Sequence, residues 1–153
     1  MAELAFYQLR TTSLENALCT LLQKALDSHH RVRVISSSDD RISSLSLALW
    51  TQISTSFLAH GTVSDEYCHD HPILLSTGRE KIIENINNAD VAIALDGAKL
   101  SFLDGVSRYL DIFDGNSKIA CSDARNRWVN YKAEDYQLTF WKQGEGGAWF
   151  KEK

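Results

Sequence analysis

The chain has 153 residues, enough for one domain with a sizeable core. Its 44% hydrophobic and 24% charged content is that of a globular protein and excludes global disorder. The formal charge of −4 argues against a general duplex-DNA binder, which carries a basic surplus.

The first segment, "MAELAFYQLR", lacks the basic region and apolar run of a signal peptide, and its "ELAFYQL" has the alternation of a strand. "RTTSLENALCTLLQKALDSHH" follows as a helix. Thr12 and Glu15 are spaced as N-cap and N3 of a capping box, and Leu14, Ala17, Leu18, Leu21, Leu22 and Ala25 keep helical period. "RVRVISS" is a short β-branched strand. "SDDRISSLSLALWTQISTSF" reads as a second helix with Ser38 as its cap, two acids at its positive end and Ile42, Leu45, Leu49 and Ile53 on its apolar face.

A loop, "LAHGTVSDEYCHDH", leads to the strand "PILLST", where Pro72 stands at the start and sacrifices no ladder bond. "GREKIIENINNAD" is a short helix and "VAIALDG" the most apolar strand. "GVSRYLDIFD" suits a strand better than a helix. "NSKIACSDARNRWVNYKAED" is a helix, and "YQLTFWKQGEGGAWFKEK" a tail with one more extended piece. Strands alternating with helices predict an α/β fold, Rossmann-like, with a largely parallel central sheet and right-handed crossovers. The expected organisation is a single domain over residues 1–143 and a C-terminal tail, flexible after "GEGG", over 144–153.

Chemistry is scarce along this scaffold. The turn after the first strand, "LRTTSLEN", lacks the glycines that wrap a pyrophosphate, and no Walker A pattern occurs, so no nucleotide-binding loop is expected. "SSSDDR" is more readily a helix cap than a ribose site. In "CHDH", Cys68–His71, four adjacent side chains cannot all turn to one ion, and no second pair has zinc-site spacing; a solvated loop and no metal are expected. The odd set Cys19, Cys68 and Cys121 does not form a disulfide framework, and no run reaches the ~20 apolar residues that cross a bilayer. A reduced, soluble, cytoplasmic protein without membrane contact follows. G-x-S-x-G is absent, and Asp96–Gly97 after a strand is more often a turn than a catalytic acid; no catalytic residue and no cofactor are expected.

The informative segment is the last helix. At 100° per residue Lys118, Cys121, Arg125, Trp128 and Lys132 share an arc of about 80°. Ala120, Ala124 and Tyr131, with Arg127 among them, fall on a neighbouring stripe that faces the sheet. From Ser117 to Lys132 there are four cations and one acid, a net charge of +3 on an acidic protein. Such a face is either simply solvated or a pocket for an acidic peptide, with cations for carboxylates and Trp128 as an apolar wall. Single-stranded nucleic acid is the weaker alternative ligand.

"FYQL", "RVRVISSSDDRISSLSLALWTQISTSFLAHG", "PILLST" and "ARNRWVNYKAEDYQLTFW", in this order and spacing, resemble the chi subunit of bacterial DNA polymerase III holoenzyme. The resemblance covers nearly the whole chain, and A-L-W…S-F-x-x-H and A-R-x-R-[WY] are its most specific parts. It implies a non-catalytic accessory subunit of the clamp-loader assembly. Such a subunit pairs with a psi-type subunit and binds the acidic C-terminal tail of single-stranded DNA-binding protein, so that it meets DNA only indirectly. The tail site it implies comprises Arg125, Trp128 and Trp50, with Lys118 and Lys132 supplying charge. Arg127 belongs to the motif but is turned away on the helical wheel. Phe57 is implied at the psi interface, with core packing as its alternative role. Where family members can carry lysines one turn before and after the first motif arginine, this chain has Cys121 and Val129. A small nucleotide-dependent enzyme and a direct single-stranded DNA binder are the competing readings.

Overall fold

The structure, a computed structural model, describes residues 3–36, 39–51, 60–62, 72–77, 88–95, 97–98, 100, 105–134 and 136–152. In chain order the elements are β1 (Glu3–Leu9), α1 (Leu14–Asp27), β2 (Val32–Ser36), α2 (Asp39–Thr51) and β3 (His60–Thr62). They are followed by β4 (Ile73–Thr77), β5 (Val91–Leu95), β6 (Arg108–Asp114), α3 (Lys118–Ala133), β7 (Gln137–Gln143) and β8 (Trp149–Lys151). The strands form one eight-stranded sheet in the order β3-β4-β2-β5-β6-β1-β7-β8. Every pairing is parallel except β7 with β8. The Rossmann-like α/β reading of the sequence is the observed fold.

The central strands β2, β4 and β5 are buried along their whole length, which is why they read as unbroken apolar runs. Period-two alternation divides the core between two faces. On one face Ala5, Tyr7 and Leu9 of β1 pack with Leu18 and Leu22 of α1 and Ile42 and Leu45 of α2. On the other, Leu4 and Phe6 pack with Ala124 and Tyr131 of α3. The chain leaves β1 towards β2 and leaves the adjacent β6 in the opposite direction towards β7. Right-handed crossovers in opposite directions require helices on opposite faces, as observed for α1 and α3.

Several local readings change. The N-cap of α1 is Ser13, whose hydroxyl accepts from the Asn16 N–H at 3.2 Å, rather than Thr12. Thr12 is occupied elsewhere: its hydroxyl accepts from Gln143 Nε2 at 2.9 Å and its N–H donates to Gln143 Oε1 at 3.2 Å. Glu15 is thereby freed to pair with Arg41 at 2.7 Å, tying α1 to α2. His60–Thr62, read as loop, adds an edge strand to β4. The C-terminal region holds two strands where one extended piece was expected: β7 continues the parallel sheet beside β1, and β8 folds back on it. Ser38, Ile53, the segment 78–87, Cys68–His71 and Asp96 lie outside the described residues. Among the described residues no helix is long and apolar enough to cross a membrane.

A candidate peptide-binding pocket on the last helix

β6 ends in a tight connection to α3. The Gly115 N–H donates to the Leu9 carbonyl at 2.7 Å, and a Cβ at Gly115 would stand 2.4 Å from that oxygen, so the turn demands glycine. Ser117 then caps α3, accepting from the Ala120 N–H at 3.2 Å. The helix is anchored through its inner stripe. Ala124 and Tyr131 are buried, and the Tyr131 hydroxyl accepts the Leu100 N–H at 2.9 Å.

Arg127 completes that anchor. Its Nε and Nη2 reach the two oxygens of Asp111 on β6 at 2.7 and 3.0 Å, a fork-to-carboxylate pair. The Asp111 side chain is 1% exposed and that of Arg127 13%. Burial pushes the Asp111 pKa up, and the guanidinium beside it pulls it back only in part. The pair fixes the rotation of α3 about its axis and so determines which residues face outward.

Outward of the anchor, α3 and the sheet enclose a pocket of about 450 Å³. The helix contributes Cys121, Ala124, Arg125, Trp128 and Val129; the sheet contributes Gln8, Phe113, Phe140 and Lys142, and Glu152 follows from beyond β8. Its walls are aromatic. Trp128 meets Phe6 edge-on at 5.4 Å between centroids and Phe140 at 6.0 Å, while Phe113 lies 6.1 Å from Phe140. Trp128 is half-buried and Arg125 exposed, so an apolar wall and a cation stand side by side at one opening.

Arg125 and Trp128 are thus brought together as the helical spacing predicted. Lys118 and Lys132 are exposed on the same helix but do not line the pocket. Arg127 lines a different cleft and is committed to Asp111. Trp50 stands in the last turn of α2, a helix that packs against β2, β3 and β4 and sends Ile42 and Leu45 into the face opposite α3. The Trp50 side chain lies outside what the structure describes. Phe57 lies outside the described residues. Sequence reasoning missed Lys142, Glu152, Gln8 and the two phenylalanines. Only Phe113 and Phe140 left a signal, as apolar residues within strand-like runs.

A second cleft, of about 600 Å³, opens at the carboxyl ends of β1 and β6 between the first turns of α1 and α3, where the strand order reverses. This is the usual ligand position of an open α/β sheet. Its lining carries Asp114 and Asp123 together with Arg41, paired to Glu15, and Arg127, paired to Asp111.

Fold and site define a Rossmann-like α/β domain whose outward cation and aromatic wall lie beside its last helix. The family model "DNA polymerase III chi subunit, HolC" matches residues 1–139, and the chain belongs to that family, an accessory subunit of the replicative polymerase. Comparison with curated proteins finds no match.

Proposed function

We propose that this chi-family subunit binds the acidic C-terminal tail of single-stranded DNA-binding protein in the α3 pocket and pairs with a psi-type subunit, tethering the polymerase assembly to coated single-stranded DNA. The observation that carries the reading is the juxtaposition of exposed Arg125 with half-buried Trp128 over Phe113 and Phe140. The guanidinium fork suits a terminal carboxylate, and the aromatic walls suit a terminal Phe side chain. Lys118 and Lys132 steer an acidic segment along the helix. Phe113 and Phe140 supply apolar wall at this pocket, and Trp50 is the further wall implied by resemblance.

Burial of one Phe side chain contributes roughly 1.5–3 kcal/mol and each charge-assisted bond a similar amount before ordering costs. Micromolar affinity, on the order of −8 kcal/mol, follows. The site performs no chemistry in this reading; it works in the cytoplasm by equilibrium binding and without a cofactor. The test is a calorimetric titration with a peptide ending Asp-Asp-Ile-Pro-Phe. Saturable binding that is lost in Arg125→Ala and on amidation of the terminal carboxylate supports the reading. An affinity equal in wild type and Arg125→Ala refutes it. Psi pairing is assigned, by resemblance, to the segment that carries Phe57, and a Phe57→Ala chain that still co-purifies with a psi-type subunit would refute that assignment.

A further inference from the structure

The family match ends at residue 139, yet the pocket does not. Two charged side chains from the segment beyond it reach the site. On β7 the pleat sends Leu138, Phe140 and Lys142 to the α3 face, and Lys142 pairs in register with Gln8 of β1. Phe140 forms part of the aromatic wall, so Lys142 stands two residues further along the same wall. Its Nζ lies 3.9 Å from Glu152 Oε1, with the two side chains 42% and 49% exposed. Glu152 is held there by its own backbone, whose N–H donates to the Phe140 carbonyl at 2.8 Å.

We propose that Lys142 is a second carboxylate-binding cation of the pocket and that Glu152 is its intramolecular stand-in, displaced when a peptide carboxylate enters. The proposal rests on the tail-binding reading above. One turn before and one turn after Arg125 the helix offers Cys121 and Val129, both lining the pocket and neither charged. Among the described lining residues the cations are Arg125, contributed by the helix, and Lys142, contributed by the sheet. In the proposal a terminal carboxylate entering the pocket is offered both cations. The resident Glu152 carboxylate shows the chemistry Lys142 accepts. An ion pair between half-exposed groups is weak and salt-screened, so an incoming carboxylate that also gains the Arg125 fork displaces it.

The test is calorimetry on the full chain with the same peptide, free and amidated, in wild type, Arg125→Ala, Lys142→Met and Glu152→Gln, with circular dichroism confirming that each variant is folded. Lys142→Met should weaken the free-carboxylate peptide about tenfold, the equivalent of one charge-assisted hydrogen bond, and leave the amidated peptide unchanged. Glu152→Gln should tighten it roughly threefold by removing the competitor. A Lys142→Met affinity within twofold of wild type, with binding still lost in Arg125→Ala, overturns this proposal and leaves the tail-binding reading standing. Weaker binding in Glu152→Gln overturns the competitor role. No binding by wild type overturns both readings together.

Discussion

Replacing Arg127 by methionine keeps most of the side-chain stem and removes only the fork that Asp111 holds. The cost is set by what remains: a carboxylate 1% exposed that has lost the guanidinium it held at 2.7 and 3.0 Å. Breaking one half of a buried ion pair costs about 3–5 kcal/mol. Against a total of roughly 5–15 kcal/mol for a domain, this is a large fraction. At about 2–4 °C per kcal/mol for a chain of this size, the melting temperature should fall by roughly 6–20 °C. The sign of the pH dependence follows from Asp111. Burial already raises its pKa, and loss of Arg127 raises it further, so the folded variant takes up a proton that the unfolded chain at the same pH does not. Stability of the variant therefore rises as pH falls through the folded pKa and on towards the unfolded one, and its deficit against wild type should be smaller at pH 5 than at pH 7. Urea unfolding at both pH values measures this. The double variant Arg127→Met/Asp111→Asn should lose less than the sum of the single losses, because no charge is left stranded. A loss below about 1 kcal/mol for Arg127→Met, or additivity in the double variant, would refute the anchoring role. Below its melting transition the variant should also bind the tail peptide more weakly than wild type, although Arg127 does not line the α3 pocket, because the pair sets the helix rotation that presents Arg125 and Trp128.

Trp128→Ala removes a half-buried ring packed on Phe6 and Phe140 and should weaken the tail peptide about tenfold by calorimetry while costing roughly 2 kcal/mol of stability. Gln143→Ala should cost about 1–3 kcal/mol in urea unfolding, because its buried Oε1 accepts the N–H groups of Arg10, Thr11 and Thr12 at 3.0, 3.0 and 3.2 Å; a change under 0.5 kcal/mol would show that water replaces it. At Asp90 burial raises the pKa, but the hydrogen bonds from His30 and the Arg31 N–H outweigh it and hold it below the ordinary carboxylate value. Its ionised form thus adds stability above that ordinary value that is lost as pH falls through the folded pKa. Asp90→Asn should flatten the acid limb of a urea-midpoint profile below about pH 5, and an unchanged slope would contradict the assignment.

What the sequence disclosed depended on whether the information was local. Helical spacing alone put Arg125 and Trp128 on one face and turned Arg127 inward, because 100° per residue needs no tertiary knowledge. The central strands were legible because burial on both faces writes an unbroken apolar run. The cap of α1 was misplaced by one residue for a tertiary reason: both Thr12 and Ser13 are competent caps, and Gln143, 131 residues away, takes Thr12. β7 was hard to read because it lies near the sheet edge, where its side chains are only half covered and mix Gln, Thr and Lys with aromatics. Lys142 and Glu152 left no signal at all, since their approach to α3 depends on β7 passing beyond β1 in the strand order.

The strand order also explains how a nucleotide-binding architecture comes to offer its charge elsewhere. At the switch point between β1 and β6 the cleft holds Arg41 and Arg127, but each guanidinium is matched to a carboxylate of the fold itself, and Asp114 and Asp123 add negative charge to the lining. An anionic ligand entering there would have to compete with partners already in place, one of them buried. On the outer side of α3, two residues from Arg127 on the same helix, Arg125 makes the opposite offer: an exposed guanidinium beside an aromatic wall. The Arg127–Asp111 pair links the two surfaces, because the same contact that balances the cleft fixes the helix rotation that presents Arg125 and Trp128. In the proposed reading, binding at the α3 pocket is built from the ion pair outward, and a variant that loosened α3 without touching the pocket would weaken the tail by misaligning two of its contacts at once.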